Sequence, residues 1–251
     1  MENEKMKKAK VVLMMAVAVL GMTGASWAEG DVSFEVTTDF FSKYVWRGQN
    51  VTDEWVFQPG FSATYNGLTG GVWGNLDLTS TNGESGEFIE LDWYVDYSGQ
   101  INETVGYSVG GIYYYFPGLE ATTEVYAGLS FDVVASPSVT VYYDVDEVEG
   151  AYVAFGVGHS FEDESLPFGI DLSASLGWGD SNYNDAYWST DTVTVGSELN
   201  DLTLSAAFPF EVGPVSVTPS ITYVALLGSD IGDIADDDRL LYAGVGLAYG
   251  F

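Results

Sequence analysis

The chain has 251 residues, 15% of them aromatic and 30 of them glycine, with no cysteine, and 7 Lys and Arg stand against 37 Asp and Glu for a formal charge of −30. Without cysteine there is no disulfide scaffold, thiolate zinc site or cysteine nucleophile. Scarce bases exclude nucleic-acid binding, and the aromatic content excludes disorder.

The N-terminus reads as an export signal. Lys5, Lys7, Lys8 and Lys10 precede an apolar run, Val11–Leu20, and Ser26-Trp27-Ala28 supplies the small residues of a cleavage site. This is the pattern of a secretory signal peptide over 1–28, and the run is too short to cross about 30 Å of hydrocarbon as a helix. Cleavage would leave Lys43, Arg47 and Arg239 as the remaining bases, on a domain covering 29–251.

From there the chain alternates with period two, as half-buried strands do. Val32, Phe34, Val36 and Phe40 interleave with Ser33, Glu35, Thr37 and Asp39. Further segments follow at 55–63, 72–78, 89–97, 105–113, 125–131, 139–145, 153–157, 170–178, 202–210, 215–223 and 241–251. That makes twelve segments, and no helical period competes with them. A secreted β-sandwich would alternate too. Small residues on the polar faces (Gly106, Ser108, Gly110), aromatics near segment ends (Trp55, Tyr97, Tyr113, Phe210) and the export signal favour an all-β antiparallel barrel in the bacterial outer membrane.

Even strand number places both termini in the periplasm. Reading 190–196 as a strand would break that parity, so 179–200 is expected to form one long outer loop, with room for a short hairpin. Other outer loops are expected at 47–54, 80–86, 116–120, 146–149 and 226–238. Short turns are expected at 66–67, 98–100, 136–137, 161–167 and 213–214.

The closing run GVGLAYGF over 244–251 resembles the C-terminal assembly signal of outer-membrane barrels, matched by Gly246, Tyr249 and Phe251. Gly244 stands where that signal usually has a polar residue. The run TDFFSKYVWRG over 38–48, with Gln58-Pro59-Gly60 and 71–74 (GVWG), resembles the porin-like TorF family. Segments 202–210, 213–214 and 218–220 resemble related uncharacterised barrels. These likenesses cover about a third of the mature chain. They imply an outer-membrane barrel, passive permeation, and as partners the outer-membrane lipids, lipopolysaccharide and the barrel-assembly machinery.

Catalysis finds little support. The one histidine, His159, shares its parity with Val153, Phe155 and Val157 and is expected to face outward, whereas the adjacent Ser160 faces the other way. A Ser–His pair needs both groups together. Carboxylates are so abundant that no pair stands out as acid and base. The acidic stretch 230–238 lacks the spacing of an EF-hand and reads as a solvated loop, with divalent bridging to lipopolysaccharide as the alternative. No catalytic residue, metal or cofactor is assigned.

The inward face is more informative. It is expected to carry Glu35, Asp39, Asp77, Glu90, Asp92 and Asp96, and further round the wall Glu124, Asp132, Asp144 and Asp171. Lys43 and Arg47 share this parity near the outer mouth. Eight strands leave a filled interior and sixteen an aqueous channel, so twelve lies between. The expectation is a passive channel for small hydrophilic solutes that prefers cations. The alternative is a structural or surface-interaction barrel with a closed lumen. A membrane hydrolase ranks third.

Overall fold

Alternation with period two sends successive side chains to opposite faces of a strand. A sheet built from such strands can bury only one face, and closing it on itself hides both edges. The computed structural model shows this closure over its described residues, 32–83 and 85–251. The export signal over 1–28 lies outside them.

In chain order the elements are β1 (Ser33–Phe41), β2 (Tyr44–Trp46), β3 (Gln49–Thr52), β4 (Val56–Tyr65), β5 (Leu68–Asp77), β6 (Glu87–Gln100) and β7 (Val105–Tyr115). There follow β8 (Thr122–Phe131), β9 (Ser138–Asp144), β10 (Ala151–Phe161), β11 (Ile170–Gly179) and helix α1 (Ser181–Trp188). The last are β12 (Glu198–Ala207), β13 (Phe210–Val212), β14 (Val215–Leu226), helix α2 (Ser229–Ile234) and β15 (Arg239–Gly250). Consecutive wall strands pair antiparallel. The ring closes through β1–β15, from Glu35 opposite Gly250 to Phe41 opposite Gly244, and through β12–β14. Of the 13 strands in that sheet, β13 has three residues and pairs only with β14, so twelve form the wall.

The burial pattern is inverted relative to a water-soluble domain. Gln58, Asn75, Asp77, Glu124 and Asp144 are buried, while Trp93 is 47% and Val95 51% exposed. Such an apolar outer face is stable only against lipid. Rings gather at both ends of the wall: Trp55, Tyr113, Tyr115 and Tyr143 at one, Tyr65, Tyr97, Phe161 and Tyr249 at the other. These are the interfacial girdles of an outer-membrane barrel. The end with short turns is the periplasmic one.

Each of the twelve expected segments falls on its own wall strand, although 202–210 overruns β12, which ends at Ala207, and reaches Phe210 of β13. Three connections differ from expectation. The turn expected at 98–100 lies inside β6, and the chain reverses at 101–104, where Asn102 Oδ1 accepts from the backbone N–H of Thr104 and Val105 at 2.9 and 3.0 Å. An Asx turn offers the backbone this local alternative to the ladder. Loop 179–200 carries a helix, not a hairpin, because the Asp180 side chain caps it by accepting from Tyr183 N at 2.8 Å. The outer loop expected at 47–54 is largely taken up by the hairpin β2–β3 over 44–52, which pairs with no wall strand among the described residues.

Candidate functional site, the interior of the barrel

The hairpin β2–β3 decides the shape of the interior. It leaves the wall between β1 and β4, and its tip reaches β8, β9 and β10, which lie across the ring. The reversal falls on Arg47 (φ 47) and Gly48 (φ 87), both left-handed, as a two-residue hairpin turn matched to strand twist demands. A Cβ on Gly48 would lie 2.8 Å from a Leu226 methyl and 3.0 Å from Asp201 Cβ, so only glycine fits. Near the hairpin's root, Tyr44 packs on Trp73 at 5.6 Å between centroids. Thr52 donates to Asp77 Oδ1 at 3.0 Å, and Asn82 donates to Thr52 Oγ1 at 2.9 Å.

At the tip, Arg47 Nη1 and Nη2 donate to Glu124 Oε1 and Oε2, each at 2.7 Å. The side chains are 9% and 2% exposed. Trp46, Tyr142 and Tyr152 flank the guanidinium, with centroids 4.5, 4.4 and 4.5 Å from Cζ, and Tyr183 of α1 lies at 5.7 Å. Tyr114 Oη adds a third donor to Glu124 at 2.9 Å. Planar stacking with bidentate pairing is a task for arginine, which lysine cannot perform.

Two outer loops close over this brace. Ile231 of α2, Trp188 of α1 and Val195 form a small apolar cluster, joined by Tyr187 and Leu226. Ile231 N–H donates to Glu198 Oε1 at 3.2 Å. The stretch 230–238 is therefore partly helical and packed at one side, not wholly solvated. On the outer rim, Glu120 pushes the Glu147 carboxyl above its ordinary pKa through like-charge repulsion.

Beneath the hairpin, cavities line the wall. One of about 450 Å3 is bounded by Thr37, Asp39, Lys43, Gln58, Ser205 and Thr222 among others. A second of about 450 Å3 is bounded by Trp73, Asp92, Tyr94, Asp96, Tyr126 and Tyr142 among others. Two smaller ones, of about 340 and 310 Å3, lie at the periplasmic ends of the strands.

The expected inward residues divide into groups. Asp77, Glu90, Asp92, Glu124 and Asp144 are buried on the wall, and Asp144 Oδ2 accepts from Thr122 at 2.6 Å. Asp39 and Asp96 are half-buried wall residues that line cavities. The carboxylate of Asp39 packs over Gly246, where a Cβ would come within 2.8 Å of it. Glu35 is exposed and borders the smallest of these cavities, and Asp171 is half-buried near the start of β11. Asp132 is a correction: β8 ends at Phe131, and Asp132 is exposed in the turn beyond the wall. The two bases face the lumen but stand off the wall strands. Lys43 lies in the β1–β2 connection and pairs with Asp53. Arg47 stands on the hairpin tip inside the lumen, because the hairpin crosses to Glu124. His159 is exposed on the outer face against Phe161, at 4.5 Å between centroids. Tyr249 is exposed, and Phe251 stacks on it and on Phe34.

Parity could have found other members. Tyr94, Tyr114, Tyr126, Tyr142 and Tyr152 share the polar parity of their strands, and Asp201 extends that of β12 by one step. Tyr183 carries no such signal, because it arrives on a loop helix.

The barrel resembles solved outer-membrane structures. The KdgM porin aligns at a TM-score of 0.52 and 10% identity, over 87% of this chain and 99% of that one. It aligns at 0.51 and 11% as the KdgM porin in complex with disordered oligogalacturonate, over the same 87% and 99%. The NanC porin aligns at 0.50 and 12%, over 86% and 98%. LpxR from Salmonella typhimurium aligns at 0.50 and 9%, over 86% and 99%. At such identities the likeness is one of fold. No curated protein matches the chain. A family model described as "Bacterial protein of unknown function (Gcw_chp)" matches residues 26–213.

Proposed function

Since the chain belongs to the Gcw_chp family of bacterial proteins of unknown function and folds as an outer-membrane barrel, we propose that it is a passive, porin-like channel for small hydrophilic solutes. The observation that carries this reading is the lumen beneath the hairpin, where Thr37, Gln58, Ser205 and Thr222 line a cavity of about 450 Å3 instead of a packed core. Polar walls of that kind hold water.

Cation preference follows from charge. Arg47 is paired with Glu124 and Lys43 with Asp53, while Asp39, Glu90, Asp92 and Asp96 stand on the wall without a basic partner among the described residues. A low-dielectric wall focuses the negative potential of such groups. A polyanion such as oligogalacturonate is disfavoured on this wall. The resemblance of 38–48 to the TorF porins is consistent with the reading, because that run holds the hairpin tip. Export by residues 1–28, and recognition of Gly246, Tyr249 and Phe251 by the assembly machinery, belong to the same proposal, as do lipid and lipopolysaccharide contacts.

One observation favours a second reading. The Arg47 brace and the α1–α2 cap together narrow the outer half of the lumen, as a closed structural barrel would require. Conductance of the refolded barrel in a planar bilayer separates the two. An open channel gives discrete steps and a cation-signed reversal potential across a salt gradient, reduced by Glu90→Gln with Asp92→Asn and increased by Lys43→Gln. No conductance supports the closed barrel, and anion selectivity refutes the proposed preference.

A further inference from the structure

We infer that the cavity bounded by Trp73, Tyr94, Tyr126 and Tyr142 with Asp92 and Asp96 is a binding site for an organic cation bearing N–H donors, a guanidinium or a primary ammonium. The inference deepens the channel reading by naming a class of permeant, and it rests on that reading only for transport.

Three observations carry it. First, the cavity combines aromatic faces with carboxylates: Tyr126 and Tyr142 lie 5.5 Å apart between centroids, and Tyr126 Oη donates to Asp96 Oδ2 at 2.7 Å. Rings attract a cation through their quadrupoles, and carboxylates accept its N–H groups. Second, Asp92 is 7% exposed and its Oδ1 has no hydrogen-bond partner. Burying an acceptor unmatched is costly, and the carboxylate that carries it borders the cavity. Glu90 stands on the same face two residues away, against Tyr44, and is hydrogen-bonded to Asp92. None of the three described bases pairs with Glu90, Asp92 or Asp96.

Third, the wall already holds such a group. The Arg47 guanidinium sits 4.4 Å from the centroid of Tyr142, a ring that also borders the cavity, and pairs with Glu124. The chain thus shows on itself the chemistry that the neighbouring cavity offers to a mobile cation. A neutral sugar would stack on the rings but leave the carboxylates unneutralised. An anion would be repelled.

The test uses the full mature chain refolded in detergent, titrated calorimetrically at low salt with agmatine, glucose and galacturonate, with bilayer conductance measured on the same preparation. Agmatine should bind saturably and more tightly than either sugar, and added salt should weaken it. Asp92→Asn should weaken binding by about tenfold or more, as loss of a charge-assisted contact does, whereas Asp132→Asn, outside the wall, should leave it unchanged. If Asp92→Asn does not refold, the wild-type order of the three probes decides. Absence of agmatine binding, or binding indifferent to Asp92→Asn, or preference for a sugar, overturns the inference. Binding without conductance leaves the site standing and removes the channel; conductance without binding does the reverse.

Discussion

Arg47 and Glu124, 77 residues apart in the chain, meet through two parallel hydrogen bonds of 2.7 Å against the inner wall of the barrel's outer half. The pair converts an outer loop into a strut. One partner comes from a hairpin leaving the wall beside β1, the other from β8 on the far side.

Arg47→Ala should loosen that strut in two ways. It leaves Glu124, 2% exposed, as a buried charge without its counterion, which costs about 3–5 kcal/mol. It also frees the hairpin tip from Tyr142 and Tyr152. Denaturant unfolding in lipid vesicles should show the loss of stability, and single-channel recordings should show larger or noisier conductance. Arg47→Lys should recover only part of either, because an ammonium cannot make the fork or the stack.

Gly48→Ala tests the geometry of the tip without touching a charge. The new methyl meets Leu226 and Asp201, and the residue must hold φ near +87. The strained left-handed backbone costs about 1 kcal/mol, to which the clash adds. Conductance should change in the same direction as for Arg47→Ala, while cation selectivity stays intact. A silent Gly48→Ala would mean that the hairpin seat tolerates movement.

The in-and-out assignment is tested on neighbouring strands. Val95 is 51% exposed in the middle of β6, and Val95→Arg should destabilise by about 2–4 kcal/mol in lipid vesicles. Ser108 borders the cavities beneath the hairpin, so Ser108→Arg should cost far less and reduce cation preference. The reverse order would turn the barrel inside out.

Closure is tested at Phe251. Its backbone N–H and C=O both bond to Phe34 at 2.9 Å, and its ring stacks on Phe34 at 5.5 Å. Deleting Phe251 removes the periplasmic end of the β1–β15 seam. The yield of heat-modifiable barrel in outer membranes should fall. Unchanged yield would count against both the seam and the proposed assembly signal.

Much of this is legible in the sequence. Runs such as Ile89–Tyr97 state, by alternation alone, which side chains meet lipid and which face inward, because a pleated strand admits only two directions. Even parity keeps 190–196 out of the wall, as the fold does, and Asn66-Gly67 marks a tight turn, with both residues at positive φ. Local rules fall short where the backbone has a local competitor: Asn102 draws the turn past Gln100, and Asp180 caps a helix inside the long loop expected over 179–200.

What tertiary structure alone decided is the use made of the inward face. Trp46, Arg47 and Gly48 announce a turn, but no local pattern says that the turn crosses the lumen. That outcome depends on Glu124, Tyr142, Tyr152 and Tyr183, which four separate elements bring to one point. Periodicity specifies the direction of a side chain relative to its own strand. It carries no information about which distant strand lies opposite, and a buried charge is stable only when such a distant partner arrives.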